Sequence, residues 1–171
     1  TARNWLRTGG NSIYVSLAGK LLPHTLIFFT MGAVYNLYLY GILHFPCHSG
    51  PVPMMLATLL LVLAAQGCGV VMVGLLPQLR LGLSFASLWG VISFSICGFS
   101  FPVMAMHPSL QALSYLFPLR HYFLIYVDQA LNGRPMHYSA LSYLALLAFM
   151  LLPFLVVKRL HHALLYDKYV P

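Results

Sequence analysis

Apolar residues gather into four long runs along the chain, 21–43, 54–76, 83–101 and 138–157, each interrupted by few polar positions. About 20 helical residues cross a ~30 Å hydrocarbon core, so every run is long enough to span a bilayer. The runs are apolar on all sides and lack the alternating polarity of barrel strands. The pattern therefore predicts an all-α integral membrane protein with four transmembrane helices.

Prolines mark the boundaries. Pro46, Pro51 and Pro53 separate the first two runs, Pro77 closes the second, and Pro153 predicts a kink within the fourth. The stretch 102–133 reads as more than a loop. Leu110, Leu113 and Leu116 recur at helical spacing after Pro108, and 119–131 is a second apolar helical piece closed by Asn132-Gly133. Both pieces are too short to cross, so a re-entrant or interfacial helical hairpin is expected, set in a crevice among the spans.

Composition supports this picture. Hydrophobic residues make up 60% and charged residues 6% of the chain, too few charges for a water-facing surface. Nine Lys and Arg against Asp128 and Asp167 give a net charge of +7. The bases lie at the ends of the apolar runs, which favours anionic lipid head groups over nucleic acid as the partner. Four crossings put Arg3, Arg7, Lys20, Arg80, Lys158, Arg159 and Lys168 on one side and only Arg120 and Arg134 on the other. That asymmetry predicts a multi-pass cell-membrane protein with both termini cytoplasmic and the hairpin outside. The start at Thr1 fits a fragment of a longer protein.

Small residues suggest where helices approach closely. Gly82, Ala86 and Gly90, continued by Ser93 and Cys97, form a stripe on the third run, and Ala65 with Gly69 a weaker one on the second. Packing within the chain is the simpler expectation, a dimer interface the alternative. Cys68 and Cys97 read as small packing residues, and three widely spaced cysteines make no disulfide framework.

Several chemistries are excluded. Glutamate is absent, which removes zinc-protease motifs and paired Glu sites. Gly19-Lys20 is followed by Leu21 and preceded by Tyr14 where a phosphate loop needs glycine. Gly82-Leu83-Ser84-Phe85-Ala86 lacks the strand-turn-helix setting of a nucleophile elbow. His44, Cys47 and His48 cluster at the outer boundary, but Pro46 breaks any helix that would align the histidines, so an interfacial cluster without metal is favoured. His161-His162 reads as a head-group-facing helix start. Arg120 and Asp128 are eight residues apart and cannot pair along one straight helix. The simplest expectation is that each reaches outer head groups or water, with a role in gating or substrate passage as the alternative.

Three segments resemble, in order and spacing, the type-2 ABC exporter permeases: Ser16-Leu17-Ala18-Gly19-Lys20-Leu21-Leu22-Pro23 at the entry to a span, Gly98-Phe99-Ser100-Phe101-Pro102 through Met106-His107-Pro108, and Leu113-Ser114-Tyr115-Leu116-Phe117-Pro118-Leu119-Arg120-His121-Tyr122-Phe123. The resemblance implies the C-terminal part of a six-span permease: a cytoplasmic coupling segment 1–20, a transmembrane domain 21–157 and a cytoplasmic tail 158–171. It implies that Ser12, Ser16, Gly19 and Lys20 belong to the region docking on an ABC ATPase. The hairpin bearing Pro102, Pro108, Pro118, Arg120 and Asp128 would be the outer gate. The implied partners are the ATPase subunit and a second permease copy or half. ATP and Mg would sit on the ATPase, with no cofactor on this chain and no enzymatic step of its own. Two other classes stay open on the residues alone: an ion- or proton-coupled carrier using Asp128, and an intramembrane metal-binding protein using the histidines.

Overall fold

The computed structural model describes residues 12–76 and 78–157, of Leu79 the backbone alone, and these contain helices and no strand. Expectations resting on Arg3, Arg7, Pro77, Lys158, Arg159, His161, His162, Asp167 and Lys168 fall outside the described residues.

Helix α1, Ile13–Leu37, runs on through a π-helical turn, Tyr38–Ile42. It joins the end of the expected coupling segment to the first span in one continuous rod. Pro23 lies inside it and cannot donate to the Gly19 carbonyl. Two side chains reinforce the next carbonyls: Thr25 Oγ1 donates to Leu21 O at 3.0 Å, and His24 Nδ1 lies 2.9 Å from Lys20 O. Helix α2, Pro51–Leu75, begins with Pro51 in its first turn after Gly50 at φ +83°. Helix α3, Leu79–Ile96, has 18 residues and is about 27 Å long. Two short helices follow, α4 (Pro108–Ser114) and α5 (Pro118–Ile125), and α5 extends through a second π turn, Tyr126–Leu131. Helix α6, Ala140–Leu151, breaks at Leu152 and resumes at 153–157, as the kink expected at Pro153.

Three helical stretches are long and apolar enough to cross a membrane: Ile13–Ile42, Pro51–Leu75 and Met136–Val157. The apolar stretch Arg80–Ile96 is shorter. The bundle is inverted relative to a water-soluble one. Leu26, Phe28, Met31 and Leu155 point outward, whereas Asn36, Thr58, Gln129 and Ser114 are buried. Such a surface is stable only against lipid or other apolar partners.

Helix α2 is the hub. Its residues Ala57, Leu60 and Ala64 meet Ile125 of α5 and Tyr143 and Leu146 of α6 in a shared core. Spacings of three and four put these on one face, and Gly67 continues it. A Cβ on Gly67 would lie 2.5 Å from the Phe149 carbonyl oxygen and 3.3 Å from Pro153 Cδ. Pro153 cannot donate to that carbonyl, and Gly67 lets α2 close on it. The close approach on the second run is thus made by Gly67. Gly69 has nothing within 4 Å of its Cβ position, and Ala65 is exposed, so those two expected contact points face away.

The ends of the helices sort into two groups. Ile13, Val70 and Val157 cluster at one end, joining the start of α1 to the ends of α2 and α6. At the other end, His48 N–H donates to Ala130 O at 3.2 Å, and the Tyr143 hydroxyl oxygen lies 3.2 Å from Pro53 O. Helix α3 passes between the ends: Gly82 lies against Val73 near the end of α2, and Cys97 meets Arg120 of the hairpin.

Candidate functional site

The two short helices α4 and α5, on the segment expected to form a hairpin, carry polar side chains that are buried in an otherwise apolar interior. Pro108 and Pro118 each stand in the first turn of their helix, where a missing N–H costs nothing. Pro102 precedes a 3₁₀ turn, Val103–Ala105. The His107 ring caps α4 by accepting from Ser109 N–H at 3.4 Å.

Arg120 is buried, 9% exposed, and does not reach head groups or water as expected. Its Nη1 donates to Cys97 O at 3.0 Å, and its guanidinium lies 5.8 Å from the centre of the Tyr115 ring. Cys97 is the C-cap of α3, so the cation meets the negative end of that helix. The arrangement needs Gly98, whose φ is +103° and whose Cβ position lies 2.8 Å from Arg120 Nη1. The neighbouring His121 is also buried. Its Nε2 lies 3.0 Å from Tyr115 O, and burial holds the imidazole below the ordinary histidine pKa, with Arg120 adding to the effect.

Further along, Gln129 is 1% exposed and accepts from the Tyr143 hydroxyl at 3.0 Å. Asn36 of α1 donates to Thr58 Oγ1 of α2 at 2.9 Å, and the Thr58 hydroxyl in turn donates to Met54 O at 2.8 Å. Buried polar side chains therefore join α1 to α2. Toward the opposite end, the Thr25 hydroxyl and Gln66 Oε1 link α1 to α2 at 2.9 Å.

Asp128 pairs with Arg134 at 3.6 Å, the two side chains being 24% and 56% exposed. The pair spans a turn closed by Arg134 N–H donating to Asp128 O at 2.9 Å and by Gly133 at φ +63°. This acid sits at the hairpin rim, partly in solvent, with a neutralising partner.

The remaining predicted residues are dispersed. Ser12 is the N-cap of α1, Ser16 is buried four residues on, and Gly19 and Lys20 lie on exposed turns of the same helix. On α3, Gly82, Ser93 and Cys97 are buried and Ala86 is partly so, whereas Gly90 is exposed with nothing within 4 Å of its Cβ position. His44, Cys47 and His48 do not converge. Cys47 Sγ donates to Gly50 O at 3.2 Å, and among the described residues no three of His, Cys, Asp or Glu group as metal ligands.

Sequence reasoning overlooked Asn36, Thr58, Tyr122, Gln129 and Tyr143. The usable signal was an amide or hydroxyl inside an otherwise apolar run, which has to find a partner across a helix interface.

Residues 2–157 match the profile of the ABC-2 family transporter proteins. No curated protein and no solved structure matches the chain.

Proposed function

The chain belongs to the ABC-2 family of transporter proteins, a family of membrane permeases, and from that premise we propose that it couples ATP hydrolysis by a partner ATPase to export of a cargo. The observation that carries this reading is the extent of the match, 156 of 171 residues counted from 2 to 157, which takes in the bundle and the hairpin together.

In this reading α3 is a fourth crossing. The contact of His48 with Ala130 supports it, because the loop after α1 and the end of the hairpin then share one face. With α2 returning to the other face, α3 has to cross back to reach the hairpin. Residues 12–20 form the coupling end, on the cytoplasmic side favoured by the excess of Lys and Arg there. A push from a closing ATPase travels along α1 as a rod and passes to α2 through Thr25–Gln66 and Asn36–Thr58, then to α5 through the apolar core that α2 shares with Ile125. Packed helices respond by switching between discrete arrangements, and ATP's preference for one of them supplies the bias. The hairpin, held to α3 by Arg120, acts as the outer gate. The chain makes and breaks no covalent bond. A second permease copy or half completes the pathway.

Purification from native membranes in mild detergent tests this. An ATPase carrying a phosphate loop should co-purify, and its hydrolysis should fall when Gly19→Pro breaks the start of α1. Cargo movement by the chain alone, driven by an ion gradient in proteoliposomes without any ATPase, would overturn it.

A further inference from the structure

A cavity of about 300 Å³ opens between the end of α1, the end of α3 and helix α5. Its walls are mostly rings: Tyr35, Tyr40, Phe45, Phe99, Tyr122 and Tyr126 contribute to them. Tyr40 stands on the first π-helical turn and Tyr126 on the second. Such turns insert an extra residue into a helix and recur at functional positions. Here both open onto the same space.

The polar groups of this cavity are neutral. Tyr40, Tyr122 and Tyr126 lie within electrostatic reach of one another, and no lining residue is charged. The Tyr40 hydroxyl is buried without a hydrogen-bond partner, and Asn36 adds an amide. These facts select a ligand class. An anion would find no positive charge in the lining, and a quaternary ammonium, which the ring faces alone could hold, would leave the buried Tyr40 hydroxyl unpaired. A purely apolar ligand would leave the buried hydroxyl unpaired. A neutral polyhydroxylated ring satisfies both demands, presenting its C–H face to the aromatic rings and its hydroxyls to tyrosine.

We propose that this cavity binds a neutral glycosyl group carried on an amphiphile. The binding stands on the cavity alone; only the further step of treating the ligand as cargo rests on the permease reading. Tyr40 is the central contact, because its hydroxyl is enclosed and free. Tyr126 is the second, facing it from the other π turn.

The test uses the full chain in phosphatidylcholine nanodiscs, free of glycosidic detergent. Octyl glucoside, octyltrimethylammonium and octyl sulfate are titrated below their micellar concentrations. Octyl glucoside should bind saturably and at least tenfold more tightly than either ion. Tyr40→Phe and Tyr126→Phe, which keep the rings, should each weaken it about five- to tenfold. A photoactivatable octyl glucoside, which needs no variant, should label peptides within 35–45 and 119–126. Equal or tighter binding of either ion, unchanged binding in both Phe variants, or labelling confined elsewhere would overturn the proposal. Loss of glucoside binding with ATPase association intact refutes this site alone. Glucoside binding without any ATPase association refutes the permease reading and leaves the site standing.

Discussion

Replacing Gly67 by alanine tests the helix contact at the centre of the bundle. The added Cβ would lie 2.5 Å from the Phe149 carbonyl oxygen, and this neighbour is backbone that cannot swing away. A carbon normally approaches a carbonyl oxygen no closer than about 3.3 Å, so α2 and α6 must separate by roughly 0.8 Å. Overpacking of this kind costs about 1–3 kcal/mol, offset by up to ~1 kcal/mol of improved helix propensity. The net expectation is a loss of about 1–2 kcal/mol. Gly69→Ala, two residues along the same helix, meets nothing within 4 Å and should gain up to ~1 kcal/mol. The assay is thermal unfolding of both variants in one detergent at one scan rate, with titration by a denaturing detergent as an equilibrium check. Gly67→Ala should melt below the wild type and Gly69→Ala at or above it. Equal shifts, or a Gly67→Ala variant as stable as the wild type, would refute the packing described for α2 and α6.

Gly98→Ala should destabilise by about 2–4 kcal/mol, because φ +103° strains any side chain and the Cβ displaces Arg120 from the Cys97 carbonyl; the same thermal assay reads it, with Gly90→Ala as the open-space control. Arg120→Lys should loosen the hairpin, seen as faster hydrogen exchange of residues 108–131, since a lysine ammonium lacks the planar fork that meets the α3 end and the Tyr115 ring together. His121 is held neutral by burial, so the unfolded chain binds its proton more readily than the folded one. Its contribution to stability is therefore complete above the ordinary histidine pKa and is lost as pH falls through that value toward the lower folded one. The slope reaches at most about 1.4 kcal/mol per pH unit, and His121→Gln should flatten it in a pH series of melting temperatures.

The fold was legible wherever hydrophobic length carries the information. Three apolar runs became long helices, because a single segment without alternating polarity can satisfy its own backbone in lipid only as a helix. Boundaries were less legible. α1 begins at Ile13, eight residues before the expected span, because no proline or turn sequence separates residues 13–20 from the span and Ser12 stands at the N-cap. The two short helices after α3 were readable from Pro108, Pro118 and Asn132-Gly133, whose backbone preferences act locally. Arg120 was not readable, because its partner is a carbonyl 23 residues away that no composition rule marks. The Gly67 contact was missed for a related reason: helical spacing reveals which residues share a face, and only the tertiary structure selects the face that meets α6.

Four crossings and three predict different positions for the hairpin, and this separates the account from its nearest competitor. Single cysteines introduced at Ser12, His48 and Asn132, with native thiols blocked or replaced, can be probed by an impermeant maleimide in sealed right-side-out and inverted vesicles. Positions 12 and 132 should label from opposite faces, with position 48 labelling on the same face as 132. Labelling of 12 and 132 from one face would mean that α3 does not cross, and would contradict the placement of the hairpin as an outer gate.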